Sequence, residues 1–185
     1  MAALPSQPLI PVDEYLRGTY EPECEYVDGV LAPKALPDYK HSVLQGLLVA
    51  LLVNQRDRYG FHVCPELHVR VKSSRFRIPD IAVLAAPPAE GRYADEPPLF
   101  VIEIVSPDEP LPKLLKSVKD HHEMGVPAII VADPHLRQVF VAGKDGLLNA
   151  KPSAAAPGHL RRSARPRFDR DRLRSPLRTT RLIRA

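Results

Sequence analysis

Two short apolar runs each carry one acid where an acid is costly to keep. The first is FRIPDIAVL at residues 76–84 and the second is LFVIEIVSP at residues 99–107. Both are aliphatic and β-branched, both have strand length, and Pro87-Pro88, Gly91 and Pro97-Pro98 separate them. They are therefore expected to be neighbouring antiparallel strands inside the core. A lone ionised carboxylate loses several kcal/mol or more on leaving water. Asp80 and Glu103, brought side by side, would repel as well unless a divalent cation lay between them. On this view Asp80→Ala is expected to raise stability in the absence of metal. The competing reading makes Asp80 a turn residue after Pro79 and pairs Glu103 with a buried arginine such as Arg77. Two acids in consecutive core strands favour the shared site.

A chain of 185 residues holds one domain of ordinary size plus a tail. No apolar run reaches the ~18 residues that span a bilayer, and residues 1–11 lack the basic start of a signal peptide. The two cysteines, Cys24 and Cys64, are too few for a disulfide framework or a cysteine-based zinc site. The expected location is the cytoplasm, with no membrane contact. The net charge of +4 hides two opposed parts: residues 151–185 hold ten Arg, one Lys and two Asp, so the rest of the chain is mildly acidic. Any electrostatic pull on nucleic acid comes from the tail, not from the folded part.

In chain order, residues 1–10 are Pro-rich and expected to be loose, and 12–18 predicts a short helix stopped by Gly18. Residues 24–32 predict a hairpin about Asp28-Gly29, which puts Glu25 on its first arm, ordinarily a surface position. Residues 39–59 carry the strongest helix signal, with Val43, Leu44, Leu47, Leu48, Leu51 and Leu52 at helical spacing and Gly60 as the stop. Val49, Ala50 and Val53 widen the apolar arc, so this helix is expected to be covered by the sheet and by a second subunit. His41 at its start is read as capping or solvent-facing in preference to a ligand. Residues 61–72 alternate like one strand, and a helix is expected from 111 to 124 with Gly125 as its stop. Its Lys113, Lys116 and Lys119 form a row that ordinarily faces solvent. Residues 127–133 and 138–141 predict two more strands. The domain is thus placed at 11–148, and 149–185, rich in Arg and Pro, is expected to be a disordered tail.

The order of these elements resembles the PD-(D/E)xK nuclease superfamily, the restriction-endonuclease-like fold, and more closely the Uma-two family of restriction endonucleases. The residues that carry the likeness are EYVDGV from Glu25, His41, RIPDIAV from Arg77, IEIVSP from Ile102, GVP from Gly125, and Asp133-Pro134. The resemblance implies an α/β fold with a central mixed sheet flanked by helices. It also implies metal-dependent hydrolysis of DNA phosphodiesters, with Asp80 and Glu103 as ligands of Mg²⁺ (or Mn²⁺) and Glu25 as a third acid. A bound cation would reverse the sign of an acid cluster that otherwise repels a phosphodiester, and would activate water. Cutting two strands implies a homodimer with two symmetric sites.

Two departures bear on activity. Superfamily members usually carry a lysine two residues after the second acid, and here that position is Val105. The family commonly carries a helix lysine and, one turn later, a tyrosine; Lys116 lies near the first place and His121 occupies the second. Lys116 is therefore expected to be the catalytic lysine, although one residue out of register rotates it about 100° around the helix. The alternative is a catalytically degenerate domain of this fold that binds nucleic acid or a partner protein.

Overall fold

The computed structural model describes residues 9–89, 92–143 and 146–150. The expected tail beyond residue 150 and the start before residue 9 lie outside the described residues. The elements are α1 (Val12–Arg17), β1 (Cys24–Val27), β2 (Val30–Pro33), α2 (Tyr39–Tyr59), β3 (His62–Pro65), β4 (His68–Lys72), β5 (Arg75–Arg77) and β6 (Ile81–Leu84), followed by β7 (Tyr93–Ala94), β8 (Phe100–Ile104), α3 (Leu111–Met124), β9 (Ile129–Asp133), β10 (Gln138–Gly143) and β11 (Gly146–Asn149). The first hairpin turns at Asp28 and Gly29, both with positive φ, and α2 and α3 end on left-handed Gly60 and Gly125. No described helix is long and apolar enough to cross a membrane.

The expected single mixed sheet is two mixed sheets. One has the order β2-β1-β5-β4-β7 and the other β11-β10-β9-β8-β6-β3. The division falls inside two runs that the sequence presents as single strands. Residues 61–72 break at Glu66, whose φ of 53° turns the chain from β3 into β4. Residues 76–84 break at Ile78-Pro79-Asp80, where proline has no N–H to give a ladder. The chain therefore passes from the first sheet to the second without a loop, and Asp80 sits at the crossing.

The central pair is antiparallel as expected, with Ile81 opposite Ile102 and Val83 opposite Phe100. Alternation then sorts the side chains. Ile81, Val83, Ile102 and Ile104 pack under Leu44, Leu48, Val49 and Leu52 of α2. Ala82, Leu84 and Val101 point the other way, into a cluster with Val69 and Val71 of β4 and Leu114 and Val118 of α3. With a side-chain period of two, Asp80 and Glu103 belong to this second face, toward α3.

Helix α2 is covered on one side only. Val43, Leu47, Leu51 and Val53 are exposed, and Leu47 keeps 65% of its surface. Beside them an open apolar groove of about 820 Å³ runs between α2 and β9–β10, lined by Leu44, Leu48, Ile102, Ile130 and Val139.

Ile81, with no exposed surface, is the anchor of the α2 face. Ile81→Ala is expected to cost about 2–5 kcal/mol in urea unfolding. Lys119→Ala, at a side chain 73% exposed, should stay within about 0.5 kcal/mol.

Candidate active site

Asp80, Glu103 and Glu25 all come to one small cavity of about 30 Å³, room for a water or an ion. His41, Ser106, Glu109, Lys34 and Lys113 also line it. Each acid is held differently.

Asp80 is buried, yet its carboxylate is fully compensated. Oδ2 accepts from the Ile104 N–H at 2.6 Å, while Oδ1 lies 3.2 Å from Lys34 Nζ and 3.3 Å from His41 Nε2. Burial pushes its pKa up, but the His41 hydrogen bond and the Lys34 charge outweigh burial and hold it below the ordinary carboxylate value. His41 is neither solvent-facing nor a plain cap. Its backbone N–H donates to Asp38 Oδ1 at the helix start, its Nδ1 pairs with Ser106 Oγ at 2.8 Å, and the ring is buried. Burial opposes its charge, and the Asp80 contact more than offsets this, so its pKa is raised.

Glu25 is no surface residue. Its Oε2 accepts from Arg77 Nη1 at 2.7 Å, and Arg77 reaches Asp120 of α3 through Nε at 2.8 Å and Nη2 at 2.5 Å. The buried arginine thus pairs with Glu25 and Asp120 rather than with Glu103. Glu103 Oε1 instead accepts from Ser117 Oγ at 2.7 Å, and His121 Nε2 lies 3.6 Å away, beyond hydrogen-bond reach. Both ring nitrogens of His121 are buried without a hydrogen-bond partner.

Lys116 is not in this site. It is exposed, and it lowers the pKa of Asp28 at the hairpin turn as a minor contributor. Ser117 and His121, four residues apart on one helix face, point to Glu103 instead, so the one-residue offset does rotate Lys116 away. The cations lining the cavity are Lys34, which follows β2, and Lys113, whose Nζ donates to Pro33 O at 2.6 Å.

Glu109 was not singled out by the sequence. Its carboxyl pKa is pushed up to about 7, first by burial and then by the charge of Glu103, with Lys113 opposing. No three His, Cys, Asp or Glu side chains among the described residues converge as a ready metal cage. Mg²⁺ does not need one, because it is typically held by one or two carboxylates and otherwise by water and substrate oxygens. Asp80 and Glu103 offer that oxygen set, so the residues present fit the ion.

The fold and the acids at its strand junction define a restriction-endonuclease-like α/β protein. A family model described as "Putative restriction endonuclease" matches residues 12–158, and the chain belongs to this family, Uma2. It is also similar to a solved protein from Anabaena variabilis ATCC 29413, described as "a putative nuclease belonging to DUF820". The identity is 27% with a TM-score of 0.63, over 71% of this chain and 78% of the other. No curated protein matches the chain.

Because Asp80 is compensated, the expectation that its removal stabilises the apo-protein is reversed. Asp80→Ala leaves Lys34 and His41 short of a partner and should lower stability at pH 7 by about 2 kcal/mol or more. With its pKa depressed, the stability contributed by Asp80 is present above 3.8 and lost as pH falls below that value. Urea titrations of both proteins at pH 7 and pH 3 check this. Glu109 has the opposite sign. Its unfolded form loses the proton near 4.5 and its folded form near 7, so stability falls as pH rises across that window and levels off above it. Glu109→Gln should flatten this part of the profile, read by melting temperature from pH 4 to 8.

Proposed function

We propose that the chain is a cytoplasmic, metal-dependent endonuclease that hydrolyses DNA phosphodiesters, with Mg²⁺ or Mn²⁺ held by Asp80 and Glu103. The observation that carries this reading is the shared cavity, which brings these two oxygen donors together with Glu25 and Glu109 around a space the size of an ion. When bound, the cation supplies charge neutralisation at the phosphate and a more acidic water. The protein supplies the rest. Ile104 N–H, His41 and Lys34 fix the Asp80 carboxylate, and Ser117 fixes that of Glu103. Preorganised ligands of this kind need no rearrangement as charge develops. In the reaction the water oxygen bonds to phosphorus, the P–O ester bond breaks, and a proton from the water ends on the leaving alkoxide.

A homodimer accompanies this reading. The bare leucine face of α2 and its groove form one apolar surface, and burying it against a second copy would place two sites in one particle. The second reading, a degenerate domain that binds nucleic acid or a protein without cutting, is favoured by one observation. Val105 packs into the core with Leu114 and Val118, so the strand offers no ammonium.

Plasmid nicking with Mg²⁺ or Mn²⁺ separates the two. The nuclease reading expects cleavage that drops on the order of 10²-fold or more in Asp80→Asn and Glu103→Gln, together with loss of the metal-induced rise in melting temperature. A wild type that binds DNA but nicks nothing with any divalent metal would establish the second reading.

A further inference from the structure

Resting on the nuclease reading, we infer that Lys34 is the catalytic ammonium of this site, delivered from the end of β2 and steadied by Glu66, in place of a lysine on β8. The cavity at Asp80 and Glu103 needs a cation to stabilise charge on the attacking water and the phosphate, and the strand position that would supply one holds Val105, packed among apolar side chains. Lys34, just past β2, supplies one instead. Its side chain is only 20% exposed, it lines the cavity, and its Nζ lies 3.2 Å from Asp80 Oδ1.

Its placement is built from several parts. The Lys34 N–H donates to Glu23 O at 2.9 Å, extending the β1–β2 ladder by one bond, and Lys113 pins the preceding carbonyl. An ammonium has three donors, and here each has an acceptor: Asp80 Oδ1, Ile78 O at 2.9 Å and Glu66 Oε2. Glu66 is itself fixed. It holds a left-handed conformation at the β3–β4 turn, its other oxygen accepts from Gln45 Nε2 at 2.7 Å, and its N–H donates to Asp80 O at 3.3 Å. A glutamate in that backbone conformation is strained, and it is kept where it grips the ammonium. Gln45 also donates to Asp80 O at 3.0 Å, so one side chain of α2 ties the holder to the acid. A wider cavity of about 200 Å³, lined by Lys34, Glu66, His41 and Asp80, meets this group as well. Lys34 thus lies where the acid centre meets open space, and a phosphate oxygen approaching Asp80 meets its charge. Glu66 and Gln45 act as positioning residues.

The test compares wild type, Lys34→Met, Lys34→Arg, Glu66→Gln, Val105→Lys and the double variant Lys34→Met/Val105→Lys. Single-turnover cleavage of a labelled DNA duplex in Mn²⁺ is measured beside Mn²⁺ affinity by electron paramagnetic resonance. Lys34→Met should slow cleavage on the order of 10²-fold or more without weakening Mn²⁺ binding. Lys34→Arg should retain part of the rate, and Val105→Lys should restore part of what Lys34→Met loses. Glu66→Gln, the milder change if Lys34→Met folds poorly, should also slow cleavage at unaltered Mn²⁺ affinity. Lys34→Met or Glu66→Gln cleaving within about threefold of wild type would reduce Lys34 to a counter-charge for Asp80 and leave the nuclease reading standing. A wild type that is inert while Val105→Lys cleaves would overturn the role of Lys34 alone. If neither cleaves although Mn²⁺ binds, the nuclease reading itself fails, and the catalytic role of Lys34 goes with it.

Discussion

A single buried guanidinium holds the parts of this fold in register. Arg77, 1% exposed, ends β5 and grips Glu25 on β1 and Asp120 on α3. Three elements thereby share one charge centre, and the next residues carry the chain into the second sheet. Removing one partner of such a group leaves an uncompensated buried charge, far costlier than losing an exposed pair. Arg75 extends the arrangement outward, with Nη1 on Asp120 Oδ1 at 2.6 Å and Nη2 on Asp28 at the hairpin turn. Two arginines and three acids therefore alternate from the hairpin tip to the cavity wall. Glu25 is consumed by this role: with Arg77 on one oxygen and the Ile78 N–H 3.3 Å from the other, it shapes the wall of the site.

Much of the fold could be read from residue pattern because the relevant forces are local. Both long helices begin and end within a few residues of where spacing and glycine place them, and the Asp28-Gly29 turn needs only its backbone preference. Asp80 and Glu103 stood out because an acid in an apolar run violates burial. The split into two sheets was not legible. A glutamate in a left-handed turn leaves no mark on an alternating pattern, and Ile78-Pro79-Asp80 reads equally as a strand or as a crossing. Lys34, Glu66 and Gln45 lie in separate segments and meet only in three dimensions. Asp120 left a weak trace, as a charged residue beside the Leu114, Val118 and His121 positions that α3 buries. Lys116 misled because a helix rotates each successive residue by about 100°.

The four acids at the cavity are held in four ways. Asp80 has cations and a backbone N–H, Glu25 has a guanidinium, Glu103 has a hydroxyl, and Glu109 keeps its proton up to about 7. Glu103 accepts from a hydroxyl and not from a cation, so in the nuclease reading it is the acid that an incoming ion adds to Asp80. The labour around Asp80 is thereby divided between fixed positive charge from Lys34 and a carboxylate, Glu103, that a hydroxyl holds. A phosphodiester entering such a place meets attraction from the ammonium and needs a cation at the carboxylate.

The left-handed backbone at Glu66 sets strain in the main chain against bonding by the side chain at one position. A non-glycine residue held there costs about 1–3 kcal/mol, and glycine would relieve that strain at once. The same exchange would delete the carboxylate that holds Lys34, leaving the ammonium to Asp80 and Ile78 O alone. Glycine at position 66 would thus exchange backbone relief for the loss of the Lys34 ion pair and the Gln45 hydrogen bond, whereas the chemistry proposed at Asp80 favours the glutamate alone.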